Sequence, residues 1–354
     1  MSIHHVLDFK IPPEHEALFA SLTRLCDEHR LLNQLEGRET RDLSDGVSDP
    51  STLLRFLAAR RFDPDAALDQ LKETYQFRQE KSTLKLYDII PISDFEQARQ
   101  FVSGNPLLLM KPHLHDSGSS LNRSQRQEWS ADMHLPILIK MVQHARRRLA
   151  KPLAGNIHIR CTTSSSSGYV TVGLDRLTCF FLPLCSMMKD RPDSSVPITN
   201  SVYLVDASYL GLEQGWSVRT FAQQISWLLS TRYPKTIQRI IVCNAPSYFI
   251  KIWKYLRGWV DPYTAEKIVV LTGAEVLPTL MGFIGDEIIH SIFGGGFSYK
   301  HGMLPGLDSS IRTRLNWGNP EKSLPPGPIK WTREADSKIL ASAVGSQSGS
   351  ARYD

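Results

Sequence analysis

The spacing of hydrophobic positions changes near residue 100. Before that point, apolar residues recur every three to four positions, which predicts an amphipathic helix over 13–37 and a second helix over 51–61. A third helix is predicted to begin at Pro64, because Asp63 is a good N-cap and proline suits the first helical position. Residues 1–95 are therefore expected to form a small all-helical unit.

Beyond residue 100 the chain contains short, nearly continuous apolar runs. Helical patterns separate the later runs, and this alternation predicts an α/β fold with a mostly parallel sheet that helices cover on both faces. A longer apolar pattern with a basic end predicts a helix over 137–149. The predicted strands are 107–110, 201–206, 240–244 and 268–271.

Two segments depart from this alternation. Residues 156–197 contain a serine-rich loop followed by an apolar stretch, and we interpret them as an insertion. Its apolar half is expected to form an extra core helix, since apolar stripes usually pack in a core; the alternative is that it covers a binding pocket. Residues 311–354 have a proline-rich start and a serine- and glycine-rich end, which predicts a flexible tail, disordered or draped on the surface.

Charge and cysteine content narrow the class of protein. The 354 residues carry a formal net charge of +5, which suits an anionic membrane surface or simply a solvated surface. There are no dense basic stripes, so no nucleic-acid partner is expected. The five cysteines form no C-x-x-C pair, which disfavours a zinc site or a redox motif. With no signal peptide and no long apolar run, we expect a soluble, cytoplasmic protein that is peripheral at membranes.

The sequence offers little for common enzyme chemistry. It has no nucleophile-elbow motif, P-loop or dinucleotide-binding glycine motif, which disfavours the usual hydrolases, NTPases and dehydrogenases. His113, His115 and Asp116 form the best metal-ligand cluster, but the spacing supplies no further ligand. We therefore expect no metal and no cofactor. One enzymatic role remains possible, in which a cavity catalyses a reaction by orienting an apolar metabolite.

Several motifs together resemble a known family. They are Leu-Leu-Arg-Phe-Leu-Ala-Ala-Arg-Arg-Phe-Asp at 53–63, Tyr-Pro at 233–234, the run at 240–246, Asp-Pro-Tyr-Thr-Ala-Glu-Lys-Ile at 261–268 and Phe-Gly-Gly-Gly at 293–296. In order and spacing, over roughly 45–300, they are similar to the CRAL-TRIO family, which includes yeast-type phosphatidylinositol/phosphatidylcholine transfer proteins. The resemblance implies a lipid-binding domain at 96–310 with an internal apolar cavity, preceded by the helical unit.

The same resemblance implies ligand-binding residues. Arg60 and Lys267 stand where phosphoinositide-binding members have basic residues, whereas Lys235 stands where they have a glutamate. This charge reversal has two interpretations. In one, the like charges repel and a bound phosphate relieves the repulsion. In the other, the site is lost and these basic residues are solvated. Ser201 matches a family serine, and Tyr203 replaces a smaller threonine, so both are expected to face the cavity.

A helix predicted over 249–260 alternates aromatic and basic residues, which suits docking on a membrane interface. The alternative is an ordinary amphipathic helix with a wet basic face. The resemblance further implies that 261–283 is a gate over the cavity. The expected docking or gate residues are Phe249, Trp253, Lys254, Trp259, Asp261 and Pro262.

The preferred function is therefore binding of a phospholipid or other hydrophobic small molecule and its exchange between membranes. One alternative is an enzyme that uses the same cavity to cyclise or rearrange an apolar metabolite of terpenoid or polyketide type. Another is a regulator that presents lipid to a partner enzyme. Fold by itself does not distinguish these three functions.

Overall fold

A computed structural model describes most of the helical unit and most of the predicted sheet. The described residues are 10–32, 42–92, 137–141, 171–186, 196–208, 223, 225–298, 312, 316–317, 324–334 and 339–343. Within them, no helix combines the length and apolar character needed to cross a membrane. The predicted strand at 107–110 and the cluster of His113, His115 and Asp116 lie outside the described residues.

The N-terminal unit is helical, as predicted. The Asp63 carboxylate accepts hydrogen bonds from the backbone N–H groups of Asp65 (3.0 Å) and Ala66 (3.1 Å), which confirms its predicted role as an N-cap. The first helix is shorter than predicted, because Arg30 adopts a left-handed φ of 58° just after it ends. The helices are α1 (Glu16–Glu28), α2 (Pro50–Ala59), α3 (Pro64–Glu80) and α4 (Thr83–Ile89).

The described part of the main sheet has four parallel strands in sequential order, which confirms the predicted α/β class. The prediction of a helix over 137–149 was wrong for its first residues, since Ile137–Met141 pairs with the neighbouring strand. A short apolar run is compatible with a helix or a strand, and here parallel pairing with the main chain of 202–206 makes it a strand. The strands are β1 (Ile137–Met141), β2 (Ser201–Asp206), β3 (Ile237–Cys243) and β4 (Ile268–Val270).

Both faces of the sheet are covered. On β2, Tyr203 packs into one buried cluster while Val202 and Leu204 pack into another, as expected for side chains that alternate between faces. Helices that precede and follow β2 in the chain pack against the sheet. They are α5 (171–186, with a π-helical turn at Leu177–Phe181), α6 (225–231), α7 (Ser247–Leu256), α8 (Pro262–Glu266) and α9 (Gly273–Met281).

The apolar half of the predicted insertion forms helix α5, and it lies in the core. Phe180 and Leu184 are fully buried, and Phe181 is 2% exposed. These side chains contact residues of the sheet and of the C-terminal segment. The structural interpretation of this half is therefore supported for 171–186.

Part of the C-terminal segment is ordered into a second sheet, so a flexible tail is the wrong description for these residues. Trp331 is 1% exposed and stacks on Phe180, with ring centroids 4.4 Å apart. Leu43 of the N-terminal unit donates its backbone N–H to the carbonyl of Trp331 (3.1 Å). Burial of this large apolar ring outweighs the proline-rich composition nearby. The strands are β5 (Asn316–Trp317), β6 (Ile329–Arg333) and β7 (Ile339–Ala343), in the order β5-β7-β6.

Candidate functional site

Two of the predicted ligand-binding lysines converge on one tyrosine. Lys235 lies in the turn before β3, and Lys267 lies between α8 and β4, so the pairing of β3 with β4 brings them together. Their ammonium nitrogens lie 4.8 and 4.1 Å from the ring centroid of Tyr263. Our sequence reasoning missed Tyr263, although its position four residues before Lys267 on a helical turn is a signal for contact.

The electrostatics of this lysine–tyrosine cluster are unusual for a protein surface. Burial acts to raise the pKa of the Tyr263 phenol, but hydrogen bonds and positive charge from both lysines outweigh burial and lower that pKa. Burial lowers the pKa of Lys267, and the like charge of Lys235 acts in the same direction. The Lys267 ammonium also donates a hydrogen bond to the backbone carbonyl of Ile237. The cluster therefore concentrates positive charge around a phenol hydroxyl.

Arg60, the third predicted basic residue, is held by a glutamine of the N-terminal unit. It lies just after α2, and its Nε donates a hydrogen bond to Oε1 of Gln70 (2.8 Å). Gln70 in turn donates to the backbone carbonyls of Ser230 (3.0 Å) and Thr231 (2.9 Å). Tyr263 therefore joins two of the three predicted basic residues, whereas Arg60 is bound through Gln70 to the end of α6.

Ser201 and Tyr203 lie on the same face of β2. The hydroxyl of Ser201 is fully buried and donates to the backbone carbonyl of Thr236 (3.2 Å). Tyr203 is 8% exposed, and burial raises the pKa of its phenol. Tyr203 packs in the buried cluster that also contains residues of α5 and of the C-terminal strands, and the Ser201 side chain hydrogen-bonds to the Tyr203 phenol. That they line a ligand cavity stays a prediction.

Helix α7 and the turn after it present a basic and aromatic surface. Lys251, Lys254 and Arg257 are exposed, and Tyr255 is 77% exposed. Phe249, in contrast, is buried, and its burial fits packing rather than docking. Trp253 and Trp259 are half-buried against the same cluster as Phe249. Tyr255 was not among the docking residues predicted from the sequence, and only the structure shows that its ring is exposed.

The segment predicted to be a gate folds into α8, β4 and α9. Asp261 caps α8 through its carboxylate, which accepts from the backbone N–H of Thr264 (2.9 Å), and Pro262 occupies the first helical position. Helix α9 packs on the sheet through Val276 and Leu280, which are fully buried. Movement of α9 would therefore have to expose apolar surface, and its role as a gate stays a prediction.

Family models match two regions of this chain. One, described as the CRAL/TRIO domain, matches residues 102–295. The other, described as the CRAL/TRIO N-terminal domain, matches residues 20–73. The two matches cover the helical unit and the sheet domain separately, in the order that the motifs predicted.

Several characterised proteins are similar to the chain at low identity. The phosphatidylinositol/phosphatidylcholine transfer protein SFH9 of Arabidopsis thaliana is 24% identical over 258 residues, covering 72% of this chain but 38% of the plant protein. The SEC14 cytosolic factor of Candida glabrata is 23% identical over 248 residues, which is 70% of each chain. Among solved structures, the crystal structure of Sfh5 aligns with a TM-score of 0.41 at 12% identity, covering 77% of this chain and 85% of that one. With one family model spanning most of the sheet domain and its companion model spanning the helical unit, the chain belongs to the CRAL/TRIO family as a divergent relative of the Sec14-like transfer proteins.

Proposed function

We propose that the protein binds one phospholipid-like molecule within its sheet domain and exchanges it between membranes. The observation that carries this proposal is the basic and aromatic surface of α7, which is followed in the chain by Asp261 and Pro262 at the start of α8. A carrier must touch a bilayer at the place where its ligand enters and leaves. Family membership and the names of the transfer-protein relatives support the same conclusion.

The chemistry of the α7 surface suits an anionic bilayer. Three exposed cationic residues reach lipid phosphates by electrostatic attraction, each contributing about 1 kcal/mol near a charged surface. The exposed ring of Tyr255 fits the headgroup region, where a side chain needs one apolar part and one polar end. On this basis we propose a cytosolic protein that is peripheral at membranes.

Neutralising the α7 surface is expected to suppress lipid exchange with anionic vesicles. In the triple variant K251Q/K254Q/R257Q, loss of three membrane-facing charges should weaken vesicle binding by about a hundredfold. The measurement is transfer of pyrene-labelled phosphatidylcholine between vesicles that contain or lack phosphatidylserine, together with vesicle co-sedimentation.

A matched control removes the same number of exposed charges from the N-terminal unit, as K10Q/R30Q/K81Q. We expect this control to bind vesicles and transfer lipid like the unmodified protein. Equal loss in both triple variants would mean that net charge, rather than the α7 surface, determines binding, and would contradict the docking proposal.

Mass spectrometry of the molecule that co-purifies with the protein distinguishes a carrier from an enzyme. A carrier is expected to hold a stoichiometric phospholipid and to return it chemically unchanged after transfer. A ligand whose mass or connectivity changes during incubation would contradict the carrier proposal and favour catalysis on an apolar metabolite.

A further inference from the structure

The turn that follows α9 is held by the side chain of a buried histidine. His290 is 3% exposed, and its Nδ1 accepts a hydrogen bond from the backbone N–H of Ile292 (2.9 Å). An imidazole nitrogen accepts a hydrogen bond only while it carries no proton, so the proton of the neutral ring is on Nε2. The conformation of this turn therefore requires the uncharged form of His290.

Further contacts join the same turn to the sheet and to α9. The side-chain amide of Asn244 donates to the backbone carbonyl of Ile292 (3.2 Å) and to Oδ1 of Asp206 (3.1 Å), at the carboxyl ends of β3 and β2. The next residue in the turn, Phe293, is 3% exposed and packs in the buried cluster through which α9 lies on the sheet. The packing of α9 therefore depends on the conformation of this turn.

Burial dominates the electrostatics of the His290 ring. It lowers the pKa of the ring below its ordinary value of 6.5 and outweighs the negative charge of Asp206 on β2, which acts to raise that pKa. The titratable side chain of α9 is Glu275, which is exposed and accepts a hydrogen bond from Thr272 in the first turn. The other neighbours are the hydroxyl of Ser291, 3.4 Å from Nδ1, the neutral rings of Phe293 and Phe297, and the exposed carboxylates of Asp286 and Glu287.

We propose that protonation of His290 releases the turn at 290–297 and loosens α9 from the sheet, so that the bound molecule exchanges faster at mildly acidic pH. The incoming proton occupies Nδ1, so protonation and the hydrogen bond from Ile292 exclude each other. It also places a positive charge in a buried site, which costs free energy that opening of the turn recovers. As a statement about exchange of a ligand, this rests on the proposed carrier function.

The direction of the pH effect follows from the two forms of the turn. In the open form His290 has its ordinary pKa near 6.5, whereas in the packed form its pKa is lower. The open form therefore binds the proton more readily. The packed turn has its full stability above the ordinary pKa and loses stability as the pH falls below that value.

The first test measures transfer of pyrene-labelled phosphatidylcholine between vesicles at about pH 7.5 and about pH 5.5. The vesicles contain phosphatidylglycerol, whose phosphodiester keeps its charge at both pH values. We expect the unmodified protein to transfer lipid about three- to tenfold faster at the lower pH, since one pH unit below the ordinary pKa limits the gain to about tenfold.

Two variants at the same position are expected to respond in opposite ways. In H290N the asparagine carbonyl oxygen accepts the Ile292 N–H without titrating, so transfer should stay slow at both pH values. H290A lacks the acceptor, and its transfer should be fast at both. H29N, which removes an exposed histidine of the N-terminal unit, should keep the pH response of the unmodified protein. A pH response that H290N retains in full would overturn the proposal.

Hydrogen exchange of the backbone amides, followed by mass spectrometry without vesicles, tests the switch independently of lipid transfer. At each pH the unmodified protein is compared with H290N, so that the intrinsic effect of pH on exchange cancels. Protection of 273–297 that falls at the lower pH in the unmodified protein, and not in H290N, supports the switch. If that loss occurs but no lipid is transferred at either pH, the switch stands and the carrier function fails. If lipid is transferred, yet neither readout distinguishes H290N from the unmodified protein, the switch is overturned and the carrier function stands.

Discussion

The D175A variant is expected to lose about 3–5 kcal/mol of unfolding free energy, the cost of leaving a buried charge without its partner. Asp175 of α5 and Arg78 of α3 form an ion pair in which both side chains are 2% exposed. Both terminal nitrogens of Arg78 donate to the Asp175 carboxylate, one of them at 3.0 Å to Oδ2. The Tyr233 hydroxyl donates to the same carboxylate (3.0 Å).

The size of this effect follows from the environment of Arg78. Burial acts to lower the pKa of its guanidinium, and the adjacent Asp175 outweighs burial and raises that pKa well above its ordinary value. The guanidinium of Arg78 stays charged whether or not Asp175 is present, so D175A leaves a buried positive charge without its paired carboxylate. Because α3 belongs to the N-terminal unit and α5 to the sheet domain, loss of the pair should also weaken the contact between them.

Chemical denaturation of D175A, followed by tryptophan fluorescence, measures this cost. E28Q serves as the control, since it breaks an exposed pair with Arg24 and should cost at most about 0.5 kcal/mol. The double variant R78M/D175L removes both charges and should recover much of the stability. A D175A midpoint close to that of E28Q would show that the buried pair contributes little.

The W331A variant is expected to be destabilised by about 3–5 kcal/mol, as for removal of a buried aromatic ring from a core. Trp331 of β6 contributes its ring to the cluster that also contains Phe180 and Leu43. Its indole N–H donates to the backbone carbonyl of Phe180 (3.3 Å). Truncation removes the stacking contact and the hydrogen bond that the indole donates to that carbonyl.

Thermal and denaturant unfolding of W331A and W331F separate these contributions. W331F keeps an aromatic ring against Phe180 and loses the hydrogen bond, so a cost of about 1 kcal/mol for that bond is expected, with some further loss of packing. Y255A is the control, because an exposed ring contributes within about 0.5 kcal/mol. If W331A unfolds like Y255A, the C-terminal strands do not stabilise the core.

Local patterns predicted much of the fold. The helices of the N-terminal unit, the Asp63 cap and the strands β2 to β4 follow from periodicity and capping, which act over a few residues. The same rules were insufficient for β1, where a run of mixed preference forms a strand because β2 offers main-chain partners. They also misjudged 329–333, where composition indicated a tail and a distant aromatic ring provides burial.

The candidate site was likewise predictable only in part from the sequence. Its lysines were identified from motifs, and the contact of Tyr263 with Lys267 was within reach because four residues separate them on a helical turn. The approach of Lys235 depends on the pairing of β3 with β4, and the position of Arg60 depends on Gln70, which lies on another helix. Arg78 and Asp175 are 97 residues apart, and nothing in the spacing of either predicts the other.

By itself, the sequence determined the secondary structure of the long periodic segments, the family and the types of residue available for binding, because each depends on short-range patterns. The tertiary structure decided which charges meet, which aromatic side chains are exposed on α7, and that the C-terminal strands complete the core. These properties depend on contacts between distant segments, whose free energy is settled only when the whole chain packs.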